Sequence, residues 1–400
     1  MRVLVLDGNQ NQAVAAVRSL AAARHEVWVG DSSSWNKAGW SRSARNVFCY
    51  PAPQREAEAF VRRIAELVSA QPGTMVMPMT EATTLALSLC RDRIFAAGGR
   101  MVLPSHEQVL RAFDKRQTTE LAQSLGISVP RTELVDSAEE AARLAPELEY
   151  PVVLKPRASE ELAEKGNVRT GGRPQYASTA TQFLAAYEGV SRRSSGVLVQ
   201  QYVEGEGAGY FALMNHGELR AEFAHRRIRD VHPTGSGSAV RVSVEVAPEI
   251  RRAGLAILEA LNWHGVAMVE FRWQQGKCPV FMEVNGRFWN SLPLACYAGV
   301  DFPALLVAMA EHGDVAPVRG YRSGVRCRWF LGDFRHLIEV WQGPPQGYPE
   351  KFPGRWKTML AELTPVRGTV HDLFQWKDPL PEFGDWLNLV RRVWERGKSN

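Results

Sequence analysis

The chain has 400 residues, 45% of them hydrophobic and 23% charged, and its 48 basic and 43 acidic side chains leave a formal charge of +5. This excludes a disordered tail protein, a coiled coil and a disulfide-stapled miniprotein, and at roughly 100–200 residues per domain it predicts a chain of several domains. The charge is unevenly placed: residues 1–316 hold 34 basic and 34 acidic side chains, whereas residues 317–400 hold 14 and 9.

The opening segment Arg2–Leu6 reads as a buried strand, followed by a helix-like run over Gln12–Arg24 and a second strand at Glu26–Val29. That βαβ punctuation predicts a parallel sheet. The intervening loop Asp7-Gly8-Asn9-Gln10-Asn11 lacks the GxGxxG spacing that brings a helix terminus onto a pyrophosphate, which disfavours a nicotinamide-binding domain. Similar units continue to about Pro104, with a helix at Glu56–Ser69, a strand at Thr74–Met79 and a helix at Ala82–Ala97. Residues 106–149 read as mostly helical, including a helix over Lys115–Leu125 that Gly126 to Pro130 breaks. A short strand, Pro151 to Pro156, then carries Lys155 near its end. The segment Arg157–Gln175 is too polar for core, and strand Gly196–Gln201 opens a β-rich stretch reaching about Arg229. Pro248–Leu261 has the periodicity of an amphipathic helix.

Five scattered cysteines without a CxxC pair argue against a disulfide framework or a thiolate zinc site. No stretch approaches the ~18 apolar residues of a membrane span. The expectation is a cytoplasmic protein with no membrane span.

The most informative piece is the pair of apolar strands Val266–Trp273 and Pro279–Asn285 around a polar turn. A two-residue Gly276-Lys277 loop of type II′ would set Glu270 opposite Glu283, with Asn285 on the same face two residues on. Like charges so opposed, with Cβ atoms about 4.5–5.5 Å apart, cost stability. A cation between them relieves that cost, and two carboxylates with an amide oxygen are hard donors suited to Mg²⁺ or Mn²⁺ completed by water and nucleotide phosphates. An exposed hairpin with two solvated glutamates is the alternative; Pro279, which cannot donate to the ladder, is the position that would shift the register.

These residues resemble the ATP-grasp superfamily. The stretch Val269-Glu270-Phe271 … Phe281-Met282-Glu283-Val284-Asn285-Gly286-Arg287-Phe288 is similar to the metal-binding core of biotin carboxylase and carbamoyl-phosphate synthetase, and most similar to the carboxylate–amine ligases. Asp114-Lys115, Val153-Leu154-Lys155-Pro156 and Gln200-Gln201-Tyr202-Val203 occur in the family's order, so the resemblance covers roughly residues 1–316. It implies mixed α/β and α+β architecture: a parallel-sheet pre-ATP-grasp domain over residues 1–110, an ATP-grasp domain over 111–316 with a lid at about 151–205, and a C-terminal extension over 317–400.

The resemblance also implies roles. Lys115 and Lys155 would neutralise the triphosphate of ATP. Residues 157–175, with Gly166, Gly171 and Gly172, would form a lid, although composition alone fits a plain loop equally well. Gln200, Gln201 and Val203 belong to a hinge that would clasp adenine, with Glu204 or Glu206 on the ribose and Glu204 preferred. Glu270, Glu283 and Asn285 would hold the metal, Arg287 would meet a carboxyl or acyl-phosphate group, and Arg227 would be a second anion contact unless it lies on a plain basic edge strand. Gly207 stands where some relatives have glutamate. The implied activity is a Mg²⁺- and ATP-dependent ligase joining a small-molecule carboxylate to an amine or similar nucleophile. A phosphotransferase or carboxylase of the same fold, or a non-catalytic ATP-binding regulatory protein, would use the same residues.

Residues 317–400 hold six of the twelve tryptophans: Trp329, Trp341, Trp356, Trp376, Trp386 and Trp394. Interleaved Trp and Arg fit nucleic-acid stacking or contact with a membrane surface. The preferred reading is a small appended subdomain that packs its aromatics on the core, with Arg391, Arg392 and Arg396 on a terminal helix; Arg326 or Arg328 is a separate candidate for contact with an anionic substrate. The neutral body gives no reason to expect nucleic acid as a partner, and self-association is compatible with the sequence.

Overall fold

The computed structural model describes residues 1–400 except 159, 163–167, 171, 173, 195, 399 and 400, and except the side chains of 160–162, 168–170, 392 and 395–398. The first hundred residues form a parallel sheet in the order Asn46–Cys49, Glu26–Asp31, Arg2–Val5, Met75–Met77. Alternation along the first strand builds a core on each face. Val3 and Val5 pack with Val14 and Val17 of helix Asn11–Ala22, while Leu4 and Leu6 pack with Phe60 and Ile64 of helix Pro53–Ser69. The single helix expected over Ala82–Ala97 is two, Glu81–Leu89 and Arg91–Ala96. Cys90 leaves helical geometry at φ −109°, ψ 27°, and its carbonyl starts a new turn by accepting from the Arg93 N–H.

A second, antiparallel sheet runs Thr132–Val135, Val197–Gln201, Val152–Pro156, Gln175–Ala177. Its first strand lies in the segment read as mostly helical. Four residues between two helices are too few for alternation to stand out from the flanking 3.6-residue pattern. Phe183, Tyr187 and Val190 of helix Ala180–Ser191 cover this sheet.

The third sheet has seven strands, in the order Val280–Asn285, Gly265–Trp273, Glu206–Asn215, Glu218–Arg229, Val240–Val244, Arg326–Arg328, Val370–His371. One face sends Phe211, Leu213 and Phe223 into the core shared with helices Asn11–Ala22 and Leu292–Ala298. The other sends Tyr210, Ala212 and Met214 against Ile250 and Ile257 of helix Pro248–Ala260.

The C-terminal extension is built into this framework instead of being appended to it. Arg326–Arg328 pairs with Val240–Val244, and Val370–His371 lies parallel beyond it. Helix Leu380–Lys398 returns to the first domain, where Lys37 meets Asp385 at 2.8 Å; just ahead of that helix, Asp378 takes Arg18 at 2.9 Å. Arg241 and Asp372 form a pair with no exposure on either side chain, and the Cys327 thiol donates to Asp372 at 3.0 Å. The expectation that the aromatics pack inward holds for Trp329, which is buried and donates to Asp385 at 2.7 Å, and for half-buried Trp386. It fails for Trp341, Trp356, Trp376 and Trp394, which are exposed.

Candidate functional site

Glu270 stands opposite Glu283, and Met268 opposite Asn285, in the expected register. The turn that delivers them is a different one. Lys277 N–H donates to the Gln274 carbonyl at 2.9 Å, which makes Gln275 and Gly276 the central residues, with Gly276 at φ +83°. Next to this turn Phe271 opposes Phe281 and Arg272 opposes Val280, one residue out of step with the glutamates. Met282 is the extra residue of a bulge that restores the pairing. A bulge also breaks strict alternation, so Met282 and Glu283 both line the same cleft.

That cleft, about 860 Å³, lies between the second sheet and the seven-stranded sheet. Lys115, Lys155, Gln200, Gln201, Val203, Arg227, Glu270 and Glu283 all line it. Asp114 caps helix Lys115–Ser124 by accepting from the Arg116 and Gln117 N–H groups and holds Arg157 at 2.6 Å, which fixes Lys115 at the helix start. Lys115 Nζ then reaches Glu283 at 3.4 Å. On the other side Arg227 donates to Glu270 at 2.8 Å and stands 3.7 Å from Asp230. Each of the opposed carboxylates is therefore paired with a side-chain cation of its own.

Burial alone would raise the Glu283 carboxyl, but the Lys115 and Lys155 ammonium groups outweigh it and hold the group below its ordinary value. Lys155 moves the other way. Burial, and then Lys115, lower it to about 8, and no ion pair to it exists among the described residues. Burial opposes the charge on Arg227 as well, but Glu270 and Asp230 more than restore it. Gly207 explains how Arg227 fits: a Cβ there would stand 2.7 Å from the guanidinium. The bland alternative for Arg227 thus gives way to a buried contact at the cleft wall.

Asn285 and Arg287 lie just behind this wall. Asn285 Nδ2 donates to Glu283 at 3.2 Å, and its Oδ1 accepts from Arg287 at 2.8 Å. Arg287 also reaches Glu81 at 3.4 Å. Glu81, in the first turn of helix Glu81–Leu89, escaped the sequence reading because an acid after Thr80 looks like an ordinary helix start. It is buried, and burial, with Arg287 opposing, raises its carboxyl.

At the hinge, Gln201 N–H donates to Arg131 O and Tyr202 N–H to Pro151 O, at 2.9 and 3.1 Å. No partner for the Val203 N–H is found among the described residues. Gln200 is buried; its Nε2 donates to Thr132, and its Oε1 has no partner among the described residues. Glu204 and Glu206 are exposed, and neither lines the cleft. Of the lid glycines, Gly166 and Gly171 lie outside the described residues; Gly172 is exposed at φ +92°. The sequence reading missed a wall supplied by the extension. Glu339, Gln342, Gly343, Pro345, Gln346 and Phe352 all line the cleft, and Tyr348 packs edge-on to Tyr176 with ring centroids 5.2 Å apart.

A divalent cation fits this donor set in one way. Among the described residues there is no cluster of three His, Cys, Asp or Glu side chains able to cage a metal. Two carboxylates and an amide form an incomplete, all-oxygen set, the kind that Mg²⁺ occupies together with substrate phosphates. Asn285 would join it after a half-turn of its amide, which releases Arg287.

Two family models match the chain: "ATP-grasp domain" over residues 105–213 and "ATP-grasp in the biosynthetic pathway with Ter operon" over residues 193–332, together more than half its length. A D-alanine–D-alanine ligase of Nitrosospira multiformis is 28% identical over 49% of this chain and 65% of its own. A urea amidolyase of Lachancea kluyveri is 26% identical over 56% of this chain but 12% of its own. The chain thus spans less than two thirds of either relative. Among solved structures, biotin carboxylase from Campylobacter jejuni superposes with a TM-score of 0.64 at 15% identity, over 81% of this chain and 74% of that one. An L-amino acid ligase from Bacillus licheniformis gives 0.57 at 16%, over 78% and 74%. At such identities these two structures speak for the fold alone. With two matching domain models, that fold and the paired glutamates of the cleft, the chain belongs to the ATP-grasp superfamily.

Proposed function

We propose that the protein is an ATP-dependent ligase that activates a small-molecule carboxylate as an acyl phosphate and passes the acyl group to an amine or similar nucleophile. The observation that carries this reading is the convergence of Lys115, Lys155, Glu270, Glu283 and the Gln200–Val203 hinge on one cleft. The unpartnered Val203 N–H and Gln200 Oε1 suit the acceptor nitrogen and exocyclic amino group of adenine. Lys115 and Lys155 would meet the phosphates, which would supply an ion-pair partner for Lys155, for which none is found among the described residues.

A divalent cation held by Glu270, Glu283 and Asn285 would neutralise charge on the β- and γ-phosphate oxygens. Arg227 and Arg287 orient the substrate carboxylate and hold charge as its oxygen forms a bond to the γ-phosphorus and ADP leaves. The nucleophile's nitrogen then bonds to the acyl carbon, the bond from that carbon to the bridging oxygen breaks so that inorganic phosphate leaves with it, and a proton passes from nitrogen to solvent or base. No side-chain nucleophile is needed, because orientation and preorganised charge supply the catalysis.

The test is ADP release across a panel of carboxylates with and without amines, followed by the mass of the product. ADP formation that needs both partners, with a product heavier than the acid by the amine minus water, is expected. ADP formation with the acid alone and a stable phosphorylated product would identify a phosphotransferase. No substrate-dependent ADP would leave a nucleotide-binding protein without turnover.

A further inference from the structure

Residues 317–400 expose 14 large apolar side chains, against eight in residues 1–316, among the described residues. They form a connected face. The Phe334 and Trp386 rings lie 5.3 Å apart and those of Trp341 and Trp356 5.4 Å apart, which joins helices Phe330–Gln342, Arg355–Leu363 and Leu380–Lys398. The last helix packs Trp386 and Leu389 on the core and carries a second apolar stripe on its outer side. Its acids Glu382 and Asp385 are buried against the protein, while Phe383, Leu387, Val390 and Trp394, at spacings of four, three and four, face outward. Trp376, just before it, is 90% exposed. Contiguous apolar surface on this scale marks a contact site.

Charge identifies the occupant. Of the described acidic side chains in this stretch, only Glu350 is exposed; Asp333, Asp372, Asp378, Glu382 and Asp385 are buried. Arg355 and Lys357 flank Trp356 on helix Arg355–Leu363, with Arg355 over the Trp341 ring, and Lys351, Arg367 and Lys377 are exposed as well, whereas Arg326, Arg328 and Arg335 are half-buried. The face is therefore apolar and positive. A second copy would set this face against itself in a two-fold interface, positive on positive. An anionic lipid surface satisfies both properties: the basic groups meet headgroup phosphates, the apolar ones enter the acyl boundary, and exposed Trp suits the interface between them.

We propose that the face built by these three helices docks on an anionic lipid surface, with helix Leu380–Lys398 lying in the headgroup plane. Among the described residues no single helix is long and apolar enough to cross a bilayer, and the contact is interfacial. The proposal is independent of the reaction carried out in the cleft.

The test is co-sedimentation of the full chain with vesicles of phosphatidylcholine, and of phosphatidylcholine mixed with phosphatidylglycerol, across a salt series. The expected result is binding to the mixed vesicles that weakens with salt and is at least tenfold poorer on phosphatidylcholine alone. Phe383→Ser/Leu387→Ser should weaken it tenfold or more, and Arg355→Glu/Lys357→Glu by roughly fivefold per charge removed, with unfolding midpoints unchanged because all four positions are exposed. Failure to sediment with mixed vesicles, or binding that neither variant affects, overturns the proposal and leaves the face to an acidic protein. A dimer in light scattering that Phe383→Ser/Leu387→Ser makes monomeric overturns it in favour of a second copy.

Discussion

Glu270 and Glu283 face each other across a ladder, an arrangement that repels, and the protein meets it with a separate cation for each: Arg227 on the first, Lys115 on the second. Lys155 is a further cation of the cleft, and burial together with Lys115 brings it to about 8. Its charged form is therefore lost as pH rises through that value in the free protein, and with it, under the proposed function, the attraction for phosphate. We expect kcat/KM for ATP to fall above about pH 8, and Lys155→Arg, which keeps its charge at any working pH, to remove that limb of the profile. An unchanged limb in the variant would assign the ionisation elsewhere. The residue types of this cluster were legible because charged groups inside apolar strands violate the pattern around them. Glu81 was not, because nothing in its own neighbourhood distinguishes it from a helix-starting acid.

At the scale of elements, the carboxylate hairpin was legible in register and illegible in construction. The alternation of Val269-Glu270-Phe271 and Phe281 to Asn285 specifies which residues must share a face, and burial enforces that whatever the turn does. The turn and the Met282 bulge are two departures that cancel at Glu283, so the sequence supports the pairing without revealing either. The edge of the same sheet depends on a buried ion pair. Asp372 accepts from Arg241, Asn11 and Cys327, tying strands of the extension to the first domain. Asp372→Ala leaves Arg241 charged and buried, and should lower the unfolding free energy by about 3–5 kcal/mol, read from urea denaturation. A loss below about 1 kcal/mol would mean that surrounding polar groups already satisfy the guanidinium.

For the molecule as a whole, the order of motifs was legible through a family resemblance, and the parallel and antiparallel sheets follow it. The last 84 residues were not, because their strands are two and three residues long and pair with partners far away in sequence. Their two faces were hidden too, since neither composition nor spacing tells that Glu382 and Asp385 of helix Leu380–Lys398 turn inward. The extension proves to be wall for the cleft, edge for the central sheet and clamp on the first domain at once, which ties its folding to that of the site.

The proposed function makes the Glu270–Glu283 pair the metal-dependent phosphate site of an ATP-using enzyme. Its most direct test is ADP formation by Glu283→Ala, with Mg²⁺ present and chelated, alongside circular dichroism to show that the variant is folded. Wild-type turnover should require Mg²⁺, and the folded variant should form no ADP above background. Mg²⁺-dependent ADP release at the wild-type rate by a folded Glu283→Ala protein would contradict it.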